Sequence, residues 1–220
     1  MALFGRGPNA PTALYEVGQE LGWPVAAAVD IDAIQPPTHA RADVHTLHRF
    51  GSRWQAWAIE GPDGVIASHL EVFNDEYDQP VYDVVGRAAP HTAHALPHLE
   101  IGWGLRPYGH HRLADRFGSP GSRKVPSPVS SMTVHASRAC DPRVEALVAD
   151  PRLAVIGERA SAISRTGLAA EVVAGRAVVF TTTAAAARGT QRWHQLIAAE
   201  QELAAVLQAY YPSLPGRLQA

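Results

Sequence analysis

From Val44 the sequence reads as strand segments with a period of two, cleanest from Leu99 to Leu105, and this period limits the possible folds more than any other feature. Alternation places successive side chains on opposite faces of a strand. VHTLHRF, RWQAWAIE, GVIASHLEVF and QPVYDVVGRA carry the pattern in turn. GPDG (61–64) predicts a tight hairpin between the second and third: Pro62 presets φ at the first corner and Gly64 accepts a positive φ. NDEYDQ (74–79) is the next turn. In PHLEIGWGLR, Leu99, Ile101, Trp103 and Leu105 share one parity, and His98, Glu100, Gly102 and Gly104 the other. A half-buried strand is expected there.

Helical spacing brackets this run. PTALYEVGQELGW has Pro11 in its first turn and Leu14, Val17 and Leu21 on one face, ended by Pro24. Asp141-Pro142 and Asp150-Pro151 each pair an N-cap with proline at the first helical position. MTVHASRA, SAISRTG, LAAEVVAG and RAVVFTTT read as short strands. RWHQLIAAEQELAAVLQAYY predicts a long closing helix. Its stripe is Trp193, Leu196, Leu203, Leu207 and Tyr210, widened by Ile197 and Ala204, and Glu200 interrupts it. Strands in runs with segregated helices mean α+β. The expected architecture is antiparallel sheet with a short N-terminal helix and a long C-terminal helix packed on it. Residues 1–220 read as one domain with two lobes, about 11–117 and 131–212, joined by a Gly/Ser/Pro loop at 118–130.

Several features form a consistent order: Gly22-Trp23 after the first helix, central hairpins, the LPHLEI strand, a short helix ending in LVADPRL, and a sheet-to-helix close. In that order the chain resembles an uncharacterised family of high-GC bacterial proteins of unknown function. The resemblance spans most of the chain but implies no reaction and no catalytic residues. Abundant Ala, Arg, Gly and Pro beside a single lysine, Lys124, fit the same genomic bias.

Composition narrows the function classes. With 46% apolar and 18% charged residues, the chain can build a core. Net charge is −2, and the 19 basic and 21 acidic residues are scattered, so no phosphate-neutralising patch is visible and nucleic acid is not expected. An interface there would need Arg106, Arg112, Arg116 and Arg123 to cluster. Cys140 stands alone, which excludes an internal disulfide or thiolate cluster and makes the cytoplasm the expected compartment. No secretory signal is read at the N-terminus, and no apolar run approaches the roughly 18–20 residues of a membrane span.

The most chemical passage is HTAHALPH (91–98). On one helix, His91, His94 and His98 would share a face, but Pro97 breaks that helix and the HExxH context is missing. Loop and strand-start histidines are the preferred reading. The Zn²⁺ alternative joins His94, His98 and His110. His45, His48, His69, His135 and His194 read as isolated histidines. Asp75, Glu76 and Asp78 lack EF-hand spacing. Cys140 at a helix start reads as a boundary residue. No catalytic residue and no cofactor-binding motif is identified: GxSxG, P-loop and CxxC are all missing. Trp54 and Trp57 have opposite parity, so one of them is a candidate partner contact. The leading expectation is a non-catalytic protein-binding or scaffolding module, with self-association included. The alternative is a small-ligand or metal-binding protein, or an enzyme, using a cavity between sheet and C-terminal helix.

Overall fold

The computed structural model describes residues 10–26, 34, 37, 53–73, 81–88, 97–105, 121–137, 141–164, 167–173, 176–183 and 189–211. Among the described residues, nine strands form one antiparallel sheet: β1 (Val25–Ala26), β2 (Arg53–Glu60), β3 (Val65–Phe73), β4 (Val81–Ala88), β5 (Leu99–Trp103), β6 (Arg123–Val125), β7 (Met132–Ala136), β8 (Leu168–Val173) and β9 (Arg176–Thr183). The order across the sheet is β1-β2-β3-β4-β9-β8-β5-β7-β6. The helices are α1 (Ala10–Leu21), α2 (Pro142–Val148), α3 (Pro151–Ile163) and α4 (Thr190–Tyr210). The α+β class, the short first helix and the long last helix on the sheet are as expected.

Strand alternation sorts the core onto two faces. Ile59, Ala67, Val85, Ile101, Val134, Ala170 and Val179 pack against the helices, which contribute Leu14, Val17, Leu147, Ile156, Leu196 and Leu203. The opposite face gathers Ala58, Leu70, Val72, Tyr82, Val84, Val178 and Phe180 with Ile34. Because both faces are covered, β5 is buried at all five residues, Glu100 included, where half-burial is the sequence expectation.

The hairpin between β2 and β3 turns one position later than its sequence suggests. Asp63 (φ 58°) and Gly64 (φ 70°) both have positive φ, and the Val65 amide donates to the Pro62 carbonyl. That pattern follows the right-handed twist of the strands. Two further differences concern boundaries. Part of the expected 118–130 loop is β6, paired with β7. SAI of SAISRTG closes α3, because the Asp150 cap starts a helix long enough to include it. VHTLHRF and YGHHRLADRFG lie outside the described residues.

The two Asp-Pro caps form as read. Asp141 Oδ1 accepts the Arg143 amide at 2.9 Å, and Asp150 Oδ1 accepts the Arg152 amide at 2.8 Å. The Arg152 side chain, aided by Tyr210 and opposed by burial, holds Asp150 down at about 2. Trp103 anchors α3 on β5. It is fully buried, and its Nε1 donates to the Leu153 carbonyl at 2.8 Å. Gly157 lets the indole lie against the helix, for a Cβ there would stand 2.8 Å from Trp103 Cδ1. Gly157→Ala should therefore destabilise the protein by about 1–3 kcal/mol, against a helix-propensity gain of about 1 kcal/mol. Urea unfolding followed by circular dichroism checks this, and an increase in stability would refute the packing argument.

Candidate functional site

On the described strands, charged side chains enter the helix-covered face at two places, and α4 spans both. In β3, Val65, Ala67, His69 and Glu71 alternate onto this face. In β4, Asp83, Val85 and Arg87 do the same. Asp83 meets α4 at Arg192, where Arg192 Nη2 lies 2.7 Å from Asp83 Oδ2 in an ion pair. Arg87 meets α4 two turns later, and its Nε and Nη2 donate to the two carboxylate oxygens of Glu200 at 2.5 and 2.7 Å. The residue that interrupts the apolar stripe of α4 is thus a fully buried half of a bidentate ion pair.

The Asp83 end continues as a chain of polar side chains. His69 Nδ1 lies 2.5 Å from Asp83 Oδ1, and His69 Nε2 lies 3.1 Å from Glu71 Oε1. Gln55 Nε2 donates to Glu71 Oε2 at 2.8 Å. His69 and Asp83 are 1% and 3% exposed, whereas the Glu71 side chain is 26% exposed. Burial alone would lower the His69 imidazolium, but hydrogen bonds and charge from Asp83 and Glu71 outweigh it and raise it to about 9. The His69 contact, opposed by burial and helped by Gln55, lowers Glu71. Burial pushes the Glu200 carboxyl up, and the Arg87 guanidinium pulls it down.

A second group lies on the opposite face. Glu100 of β5 and Glu171 of β8 are cross-strand neighbours, both buried. His98 Nε2 stands 3.4 Å from Glu171 Oε1 and 3.8 Å from Glu100 Oε1. Glu171, partly offset by burial and supported by Glu100, raises the His98 imidazole. A proton on that ring competes with any metal ion, since a histidine ligand must be neutral.

His98 is the one member of the expected metal trio that can be placed. His94 and His110 lie outside the described residues, as do Cys140 and the acidic turn at 74–79. Among the described residues, no group of three or more His, Cys, Asp or Glu side chains is arranged to hold a metal ion. Trp54 and Trp57 point to opposite faces and are half-buried, Trp57 against the helix-side core and Trp54 against the other. Arg123 is exposed on edge strand β6. The His69–Asp83–Arg192 cluster is missed because each member reads alone as a common surface type. The available signal is parity, since His69 and Asp83 each sit among core-facing positions. No family model, curated protein or solved structure matches the chain.

Two outcomes are expected. Arg87→Ala leaves Glu200 buried without its partner and should cost about 3–5 kcal/mol, while the double variant Arg87→Met/Glu200→Leu should recover most of that loss. Chemical denaturation of the three proteins measures it, and an additive double loss would contradict the pairing. Because His69 is raised from 6.5 to about 9 on folding, its contribution is complete below pH 6.5 and is lost as pH rises through 9. On the order of 3 kcal/mol is involved. His69→Gln should flatten the alkaline limb of a plot of unfolding free energy against pH.

Proposed function

We propose that this chain is a non-catalytic protein-binding or scaffolding module. The observation that carries the reading is the use made of the charged groups beneath α4. His69, Asp83 and Arg192 form one group and Arg87 and Glu200 another, all buried between helix and sheet except Arg87, which is part-exposed. A general base must reach the proton that it removes, and His69 is closed in by its own partners. Apolar side chains do reach solvent beside edge strand β1, where Leu21 and Val25 are 39% and 63% exposed and Trp23 is half-buried. An edge strand offers unpaired backbone groups, and neighbouring apolar side chains add specificity. The partner is read as a protein, this chain included. Nucleic acid is not expected, and no described helix is long and apolar enough to cross a membrane. A cytoplasmic setting and membership of the high-GC bacterial family belong to the same reading.

The competing reading, a small-ligand or metal-binding protein or enzyme, draws on the approach of His98 to Glu100 and Glu171. One pair of experiments separates the two. Sedimentation velocity from micromolar to sub-millimolar protein should show self-association that Val25→Asp abolishes, or else a photo-crosslinker at position 25 should capture one discrete protein partner. A strict monomer with no discrete adduct would end the scaffolding proposal. Stoichiometric zinc uptake lost in His98→Ala would put the competing reading in its place.

A further inference from the structure

We infer that His69 is a buried imidazolium that acts as a proton switch in the helix–sheet interface, and that loss of its Nε2 proton drives Glu71 out of the cluster. The argument starts from hydrogen-bond chemistry. Both ring nitrogens face carboxylate oxygens, Nδ1 at 2.5 Å from Asp83 and Nε2 at 3.1 Å from Glu71. An ionised carboxylate only accepts, so both nitrogens must carry protons. Each carboxylate also meets a second polar group: Arg192 forms an ion pair with Asp83, and the Gln55 amide donates to Glu71. Charge then balances: two cations, His69 and Arg192, against two anions, Asp83 and Glu71. The Trp57 ring, 5.8 Å from the imidazole between centroids, adds an aromatic neighbour that favours a cation.

The surroundings supply the direction of the switch. The charges acting on His69 are those of Asp83 on β4 and Glu71 on its own strand, with Arg192 of α4 behind Asp83. Beside Asp83, β9 places the neutral Thr181, whose hydroxyl donates to the Gly167 carbonyl. From β2 come Gln55 and Trp57, neither of which titrates. α1 gives Ala13, Leu14 and Val17 to the core, while its Glu20 pairs with His194 at the surface. When the ring deprotonates, the Nε2 proton passes to a solvent base and Nδ1 keeps its proton on Asp83. A nitrogen lone pair then confronts a carboxylate oxygen, and the cluster carries one uncompensated negative charge. Asp83 cannot leave, since its side chain is 4% exposed and Arg192 holds it. Glu71, 26% exposed at the open end of the row, can turn into water and take Gln55 with it. The outer end of the interface, where Trp57 sits, opens as a result.

Two reporters on the full chain test this. Long-range ¹H–¹⁵N spectra of the His69 ring should show both nitrogens protonated at pH 7, with a midpoint near pH 9. The fluorescence of Trp57, obtained as the difference from Trp57→Phe, should rise with the same midpoint, because an imidazolium quenches a nearby indole. Glu71→Gln, a change at a part-exposed position, should lower both midpoints by about one pH unit or more. His69→Gln, if it folds, should remove the fluorescence step. A ring bearing one proton at pH 7 would overturn the inference, and so would a midpoint indifferent to Glu71→Gln.

Discussion

The placement of α4 rests on two buried ion pairs of opposite sense. Strand β4 offers an acid and then a base, Asp83 and Arg87. The helix answers with a base and then an acid, Arg192 and Glu200. The spacings agree. Four strand residues advance about 13 Å, and eight helical residues advance about 12 Å. A reversed helix would set Glu200 on Asp83 and Arg192 on Arg87, with like charges in a low-dielectric layer. Apolar contacts between Leu196, Leu203, Val85 and Val179 supply the bulk of the attraction but little direction. Ion pairs of this kind stabilise less than their geometry suggests, since desolvation consumes most of the gain. Their contribution here is orientation and register.

Much of this fold is legible in the residues themselves. The paired Asp-Pro caps, the parity of β2 to β5 and the stripe of α4 are local signals that local geometry fulfils, and GPDG marks its hairpin within one position. Features that depend on distant partners are not legible. His69 and Asp83 are 14 positions apart, and Arg87 and Glu200 are 113 apart. Nothing near either residue announces the other. The total burial of β5 has the same origin, since alternation reveals one apolar face but not what covers the polar one. β6 escapes notice because three residues among Gly, Ser and Pro carry no period of their own.

The two faces of the sheet do different chemistry. Under the helices, the charged side chains described pair within the layer, with Glu71 part-exposed at one end. On the other face, two glutamates lie on neighbouring strands with His98 beside them and His135 of β7 directly across from Glu100. Like charges directly opposite on adjacent strands repel, and His98 relieves that repulsion. A sheet covered on both sides leaves its margins as the natural places for meeting another molecule. The two margins differ: β1 is apolar, while β6 carries Arg123 and Lys124, a charged edge that discourages strand-to-strand association.

The order of the sheet also bears on how the chain reaches it. Strand β4 pairs with β9, so that Val81 meets Thr183 and Ala88 meets Arg176. During synthesis the hairpins from β2 to β4 can form early, but the outer edge of β4 then lacks its β9 partner until β9 has left the ribosome. The same interval leaves Asp83 and Arg87 without the helix that neutralises them. Closure of so long a loop is slow, and an unpaired strand edge invites association with other chains in the meantime. A nascent chain of this protein is therefore most vulnerable between the synthesis of β4 and that of β9, and the arrival of α4 then neutralises Asp83 and Arg87.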